Sequence, residues 1–182
     1  MQNSHFSVRT SSGLLVYSEQ TATIVNVDSD VYFGEFEAAD ERAMQGHDIL
    51  TNLMRTRRWF ADQGWNMPHV NVIWPEPFDE VFGSGSWYSN VENAIHLGRD
   101  RAWHAPTHIH EYGHFFISQF GSFLPPDYCN GTCDGVPAPV PTPWACGHCR
   151  WCTETDHDAW NEGIAQALAE YVTRLYSLHA GY

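Results

Sequence analysis

The stretch Thr107-His108-Ile109-His110-Glu111-Tyr112-Gly113-His114-Phe115-Phe116-Ile117-Ser118-Gln119-Phe120 governs the reading of this chain. It contains the pattern His110-Glu111-x-x-His114. On an α-helix, residues four apart lie on one face, one turn above the other. Two imidazoles placed that way can each give a nitrogen to a single Zn²⁺. Glu111 follows His110 by about 100° around the helix, within reach of a water at the metal. Pro106 and Thr107 precede the motif and predict a helix start, with Thr107 as N-cap. Ile109, Phe115, Phe116 and Phe120 supply the apolar faces of a buried helix. The competing reading is a core helix whose histidines only hydrogen-bond to their neighbours. Catalytic zinc usually has three protein ligands and one open position, so a third ligand must come from elsewhere.

A chain of 182 residues predicts one domain, spanning 1–182, with room for a sizeable insertion. A hydrophobic content of 43% and eight tryptophans are ample for a core. No apolar run reaches the roughly 18 residues of a membrane span. The first residues, MQNSHFSVRT, show no charged segment followed by an apolar one, so no signal peptide is expected from them. The formal net charge is -13, and all nine basic residues are arginine. Such a surface repels nucleic acid and anionic membranes, so neither is an expected partner. An acidic surface also attracts cationic peptides, but its commoner role is to keep a protein soluble.

Residues 5–33 alternate and carry β-branched and aromatic side chains, which predicts two or three strands with a turn at Ser11-Ser12-Gly13. Helical spacing runs over 38–63, and Gly64 suits the stop. The clearest strand is 69–74, closed by Pro75 and Pro77. Two shorter ones are expected over 86–89 and 93–98, the latter an edge strand that could align an extended peptide. His96 on it is either a residue that approaches substrate or a plain surface histidine. The last helix covers 158–179, where Ile164, Ala165, Leu168, Ala169, Val172 and Leu175 repeat at three and four. Residues 121–157 contain Pro125-Pro126, the run VPAPVPTP and all five cysteines, a composition that disfavours regular structure. They read as an insertion between two helices.

The final helix opens with Asn161-Glu162-Gly163-Ile164-Ala165. Together with His110-Glu111-x-x-His114 this resembles the gluzincin metallopeptidases, the thermolysin-like clan, over roughly residues 40–180. The resemblance implies that Glu162 is the third metal ligand beside His110 and His114, and that Glu111 is the general base. It implies an α+β, zincin-like fold: a small mixed twisted sheet with a backing helix, the zinc helix, the Cys/Pro-rich insertion and a glutamate helix. It further implies a zinc-dependent peptidase acting on peptides or proteins and, because the clan is commonly secreted, a home outside the cytoplasm. Rivals to Glu162 are Glu154, Asp156 and Asp158, which suit caps or loop charges better. Relatives with an aspartate four residues after the ligand Glu use it to orient a zinc-bound His. Here Gln166 stands there, which predicts weaker zinc binding through a weaker partner for the imidazole. Tyr128, His157 and Tyr171 are the candidates for the group that steadies the oxyanion; Tyr171, nine residues beyond Glu162, is expected to face elsewhere. His104 and His108 are read as loop or helix-entry histidines in preference to a second metal face. The alternative from another class is a catalytically degenerate zincin-like binding module.

Cys129, Cys133, Cys146, Cys149 and Cys152 allow two readings: disulfides, or a second, structural zinc at Cys129, Cys133, Cys146 and Cys149. Three cysteines with His148 or His157 would also serve. Disulfides are favoured, since no cysteine lies outside the insertion. Intact mass before and after reduction should then change by two bonds, with one equivalent of zinc bound; two zincs and no mass change would reverse the assignment.

Overall fold

A computed structural model describes residues 6–10, 41–76, 85–121 and 156–178. The strands expected over 14–33 and the five cysteines lie outside those residues. Four strands form one sheet: β1 (Phe6–Arg9), β2 (Val70–Ile73), β3 (Trp87–Ser89) and β4 (Ala94–His96). Their order is β1-β2-β4-β3. β1, β2 and β4 run parallel, with Val8 opposite Val72 and Val72 opposite Ile95. β3 is antiparallel to β4. The helices are α1 (Glu41–Asp62), α2 (Ala105–Phe120) and α3 (Asp156–Leu175), with a short 3-10 turn at Arg99–Arg101 before α2. The arrangement is a mixed α+β one, a small mixed sheet with helices.

Strand 93–98 is not the edge strand that its sequence suggested. β4 is paired on both sides, by β2 and by β3, so no backbone row is left for a further strand. β3 is the edge.

One face of the sheet makes the core. Phe6, Val8, Val70, Val72 and Ile95 meet Ile49, Leu53 and Phe60 of α1 and Tyr112 and Phe115 of α2. Each such side chain contributes about 1.5–3 kcal/mol by leaving water. Helix α1 ends as Gly64 predicts. Gly64 has φ +90, its N–H donates to Ala61 O, and the Trp65 N–H donates to Phe60 O. These two bonds satisfy carbonyls that the helix itself cannot pair, and only glycine adopts that φ without strain.

Helix α2 starts earlier than Thr107. His104 is the N-cap: its Nδ1 accepts from the Thr107 backbone N–H at 3.2 Å and from the Thr107 hydroxyl at 2.8 Å. Pro106 sits in the first turn, where it has no helical N–H bond to lose. Burial and the Arg101 charge lower the pKa of His104.

α3 lies antiparallel to α2. Ile109 shares a cluster with Ala169 and Val172, while one turn on Gly113 faces Ala165. A methyl at Gly113 would stand 3.0 Å from the Ala165 Cα and 3.2 Å from its Cβ, so the helices touch backbone to backbone.

His108 is fully buried between α1 and α2. Its Nε2 lies 2.7 Å from the Arg101 carbonyl, which only accepts, so Nε2 carries the proton. Nδ1 then accepts from Asn52 Nδ2 at 3.3 Å, and Asn52 also donates to Asp48 at 2.8 Å. His108 is a neutral core histidine. Burial holds its pKa at about 4, below the ordinary 6.5. Unfolding restores the ordinary value, so the unfolded chain takes up the proton first. The stabilisation is complete above pH 6.5 and is lost as pH falls from 6.5 towards 4. It amounts to on the order of 3 kcal/mol. Urea titrations across that window should show the wild type losing stability more steeply than His108→Leu; parallel slopes would contradict a neutral buried imidazole.

Candidate metal centre

α2 and α3 bring His110, His114 and Glu162 together. His110 Nε2 is 3.1 Å from His114 Nε2. Glu162 straddles the pair, with Oε2 3.1 Å from His110 Nε2 and Oε1 3.2 Å from His114 Nε2. The rings are 4.7 Å apart and inclined at 84°, so the nitrogens approach without stacking of the imidazoles. Side-chain exposures are 13% for His110, 19% for His114 and 23% for Glu162, so the cluster is largely desolvated yet open to solvent.

Does this triangle fit a cation? Each Nε2 carries at most one hydrogen, so protons can satisfy at most two of its three edges. One cation at the centre satisfies all three. Zinc–ligand bonds of about 2.0–2.1 Å in a tetrahedron set ligand–ligand distances of about 3.3–3.4 Å. The observed sides of 3.1, 3.1 and 3.2 Å are close to that. Two histidines and a glutamate are also a donor set that catalytic zinc uses with one position left open. Among the described residues this is the one group of three or more His, Cys, Asp or Glu side chains able to hold an ion.

Glu111, next along the chain from His110, is buried at 4% exposure. Of the rivals to Glu162, Asp156 is exposed at the start of α3 and is not in the group. Glu154 and the Asp158 side chain lie outside the described residues. Gln166 does not orient a histidine. It is exposed on α3 and makes no hydrogen bond to His110 or His114. One turn past Glu162, the α3 face towards α2 is held by Ala165, which leaves position 166 turned outward. Tyr171 is exposed and packs on Trp59 at 5.7 Å, turned elsewhere as its spacing suggested. Tyr128, His148 and the His157 side chain lie outside the described residues.

His96 is neither a surface residue nor a substrate-facing one. It is buried, with Nδ1 2.6 Å from Glu76 Oε2 and Nε2 2.7 Å from Glu92 Oε2. Trp87 stacks on its ring at 4.6 Å and 7°. Both ring nitrogens are committed to carboxylates. Sequence reading missed Glu76 and Glu92, because β2–β4 pairing and the β3–β4 turn bring them to His96 and no spacing announces that. The edge strand is tied to α2 instead through Tyr88, which packs on Phe115 at 5.5 Å and accepts from Ser118 Oγ at 3.1 Å.

No family model, curated protein or solved structure matches this chain. Replacing Glu162 by Ala should weaken zinc binding at least about 100-fold, beyond what loss of a supporting contact costs. Gln166→Ala should leave it within about twofold. Competition against a chromogenic chelator reads both, and a large loss in Gln166→Ala would contradict the outward position of that side chain.

Proposed function

We propose that this protein is a zinc-dependent peptidase with a zincin-like arrangement of sheet, zinc helix and glutamate helix. The observation that carries the reading is the convergence of His110 Nε2, His114 Nε2 and the Glu162 carboxylate within 3.1–3.2 Å, from two helices. His110 and His114 would hold the ion through Nε2, and Glu162 through its carboxylate. When bound, zinc supplies a Lewis acid that polarises a carbonyl and lowers the pKa of water to about 7.

The remaining work falls to the chain. Glu111, beside His110 in the H-E-x-x-H pattern, takes the proton of the attacking water on its carboxylate and returns it to the nitrogen of the leaving amine. Among the described strands β3 lies at a sheet edge, and an extended peptide adding to it would be aligned by main-chain hydrogen bonds. Tyr88, held by Ser118, fixes that edge against the zinc helix. The implied substrate is a peptide or protein, and a secreted setting with a disulfide-bonded insertion belongs to the same proposal.

A second reading is a metal-binding module without turnover. It is favoured by Gln166, which supports neither histidine. A peptide-library screen with and without chelator separates the two: chelator-sensitive cleavage supports the enzyme, and zinc uptake without cleavage supports the module. In the enzyme, Glu111→Gln should lower turnover by about 10²–10⁴-fold while zinc stoichiometry and fold are kept. Wild-type turnover in that variant would exclude Glu111 as the base.

A further inference from the structure

We infer that Gly113 and Ala165 are positioning residues for the metal centre: their contact sets the distance at which Glu162 meets the two histidines. The inference rests on the metal reading of His110, His114 and Glu162. It goes beyond that reading because neither residue offers a ligand atom.

A glycine in the middle of a helix costs about 1 kcal/mol relative to alanine. Gly113 lies inside α2, eight residues from its first residue and seven from its last, and has no turn to make. Its contacts explain it. A Cβ there would lie 3.0 Å from the Ala165 Cα, a backbone atom, and 3.2 Å from the Ala165 Cβ. The Leu168 Cδ1 would be 3.6 Å away, an ordinary contact. The first atom cannot rotate aside, so α3 as a whole would have to move out or turn. Ala165 is itself fully buried, and a longer side chain there meets the same backbone from the other side.

The contact sits where displacement matters most. Gly113 precedes His114 by one residue and follows His110 by three. Ala165 follows Glu162 by three, less than one turn. An outward shift of α3 by a few tenths of an ångström at this point moves the Glu162 carboxylate away from both Nε2 atoms together. The sides of 3.1 and 3.2 Å would open, while the 3.1 Å side within α2 would stay. By contrast Gly163, beside Glu162, has nothing within 4 Å of an added Cβ. Gly163→Ala is therefore the matched control on the same helix.

The test is a double-mutant cycle on metal affinity in the full chain, read by chelator competition for zinc and by the visible absorption of the cobalt-substituted protein. Gly113→Ala should lower zinc affinity at least about tenfold and weaken the cobalt bands, while Gly163→Ala leaves both within about twofold. In a Glu162→Ala background, Gly113→Ala should cost less than about twofold, because the ligand that it displaces is already gone. Should Gly113→Ala not fold by circular dichroism, Ala165→Ser, which adds one atom from the other helix, takes its place in the same cycle with a loss in the same direction. A folded variant with wild-type affinity would overturn the inference, as would an equal loss with and without Glu162. A wild-type chain that takes up neither zinc nor cobalt would instead remove the metal reading, and this inference with it.

Discussion

Helices α2 and α3 run antiparallel with Gly113 against Ala165, so close that a Cβ at position 113 would stand 3.0 Å from the Ala165 Cα. Two imidazoles on one turn of α2 supply two of the donor groups in the cluster, and their spacing is fixed by the helix alone. The third donor has to cross from another helix and stop within 3.1–3.2 Å of both nitrogens. Side chains of ordinary size at the crossing would keep the axes near the wider end of the usual 8–10 Å range. The backbone contact at Gly113 and Ala165 removes that spacer. Below it, Ile109 with Ala169 and Val172 carries the apolar burial that holds the two helices together.

Helix α2 therefore serves three surfaces with sixteen residues. Tyr112 and Phe115 face the sheet and α1, Ile109 and Gly113 face α3, and His110 and His114 face the gap between. Four histidines in eleven residues take three distinct jobs. His104 caps, His108 is a neutral core group, and only the last two meet a carboxylate. Position relative to the helix start and to the core decides which job each one does. His108, two residues before His110, projects about 200° away from it, into the α1 interface.

The β3–β4 hairpin shows the same division between local pattern and assembly. Its residues read as strands, and they are strands. Which of the two lies at the edge depends on β2 choosing β4 as its parallel partner, a long-range pairing with no local signature. That choice buries His96, and a buried imidazole with carboxylates on both nitrogens needs Glu76 and Glu92 to satisfy it. An edge position would have left the same histidine in water.

By itself the sequence determined, among the described residues, the helices and strands within a few residues, the stop at Gly64, and the helical pair His110 and His114 with Glu111 between them. Those features depend on periodicity, propensity and cap chemistry, which act over one or two turns. Glu162 was legible only through resemblance to a family motif, and spacing alone left acidic rivals open. The tertiary structure decided that Glu162 and neither Gln166 nor Asp156 points at the histidines, that β3 rather than β4 lies at an edge among the described strands, that His104 rather than Thr107 caps α2, and that His96 and His108 are closed off by partners. Each of these is a distance between segments far apart along the chain. Such distances are set by which side chains two surfaces can bury together, and a mid-helix glycine acquires its meaning only when the second helix is in place.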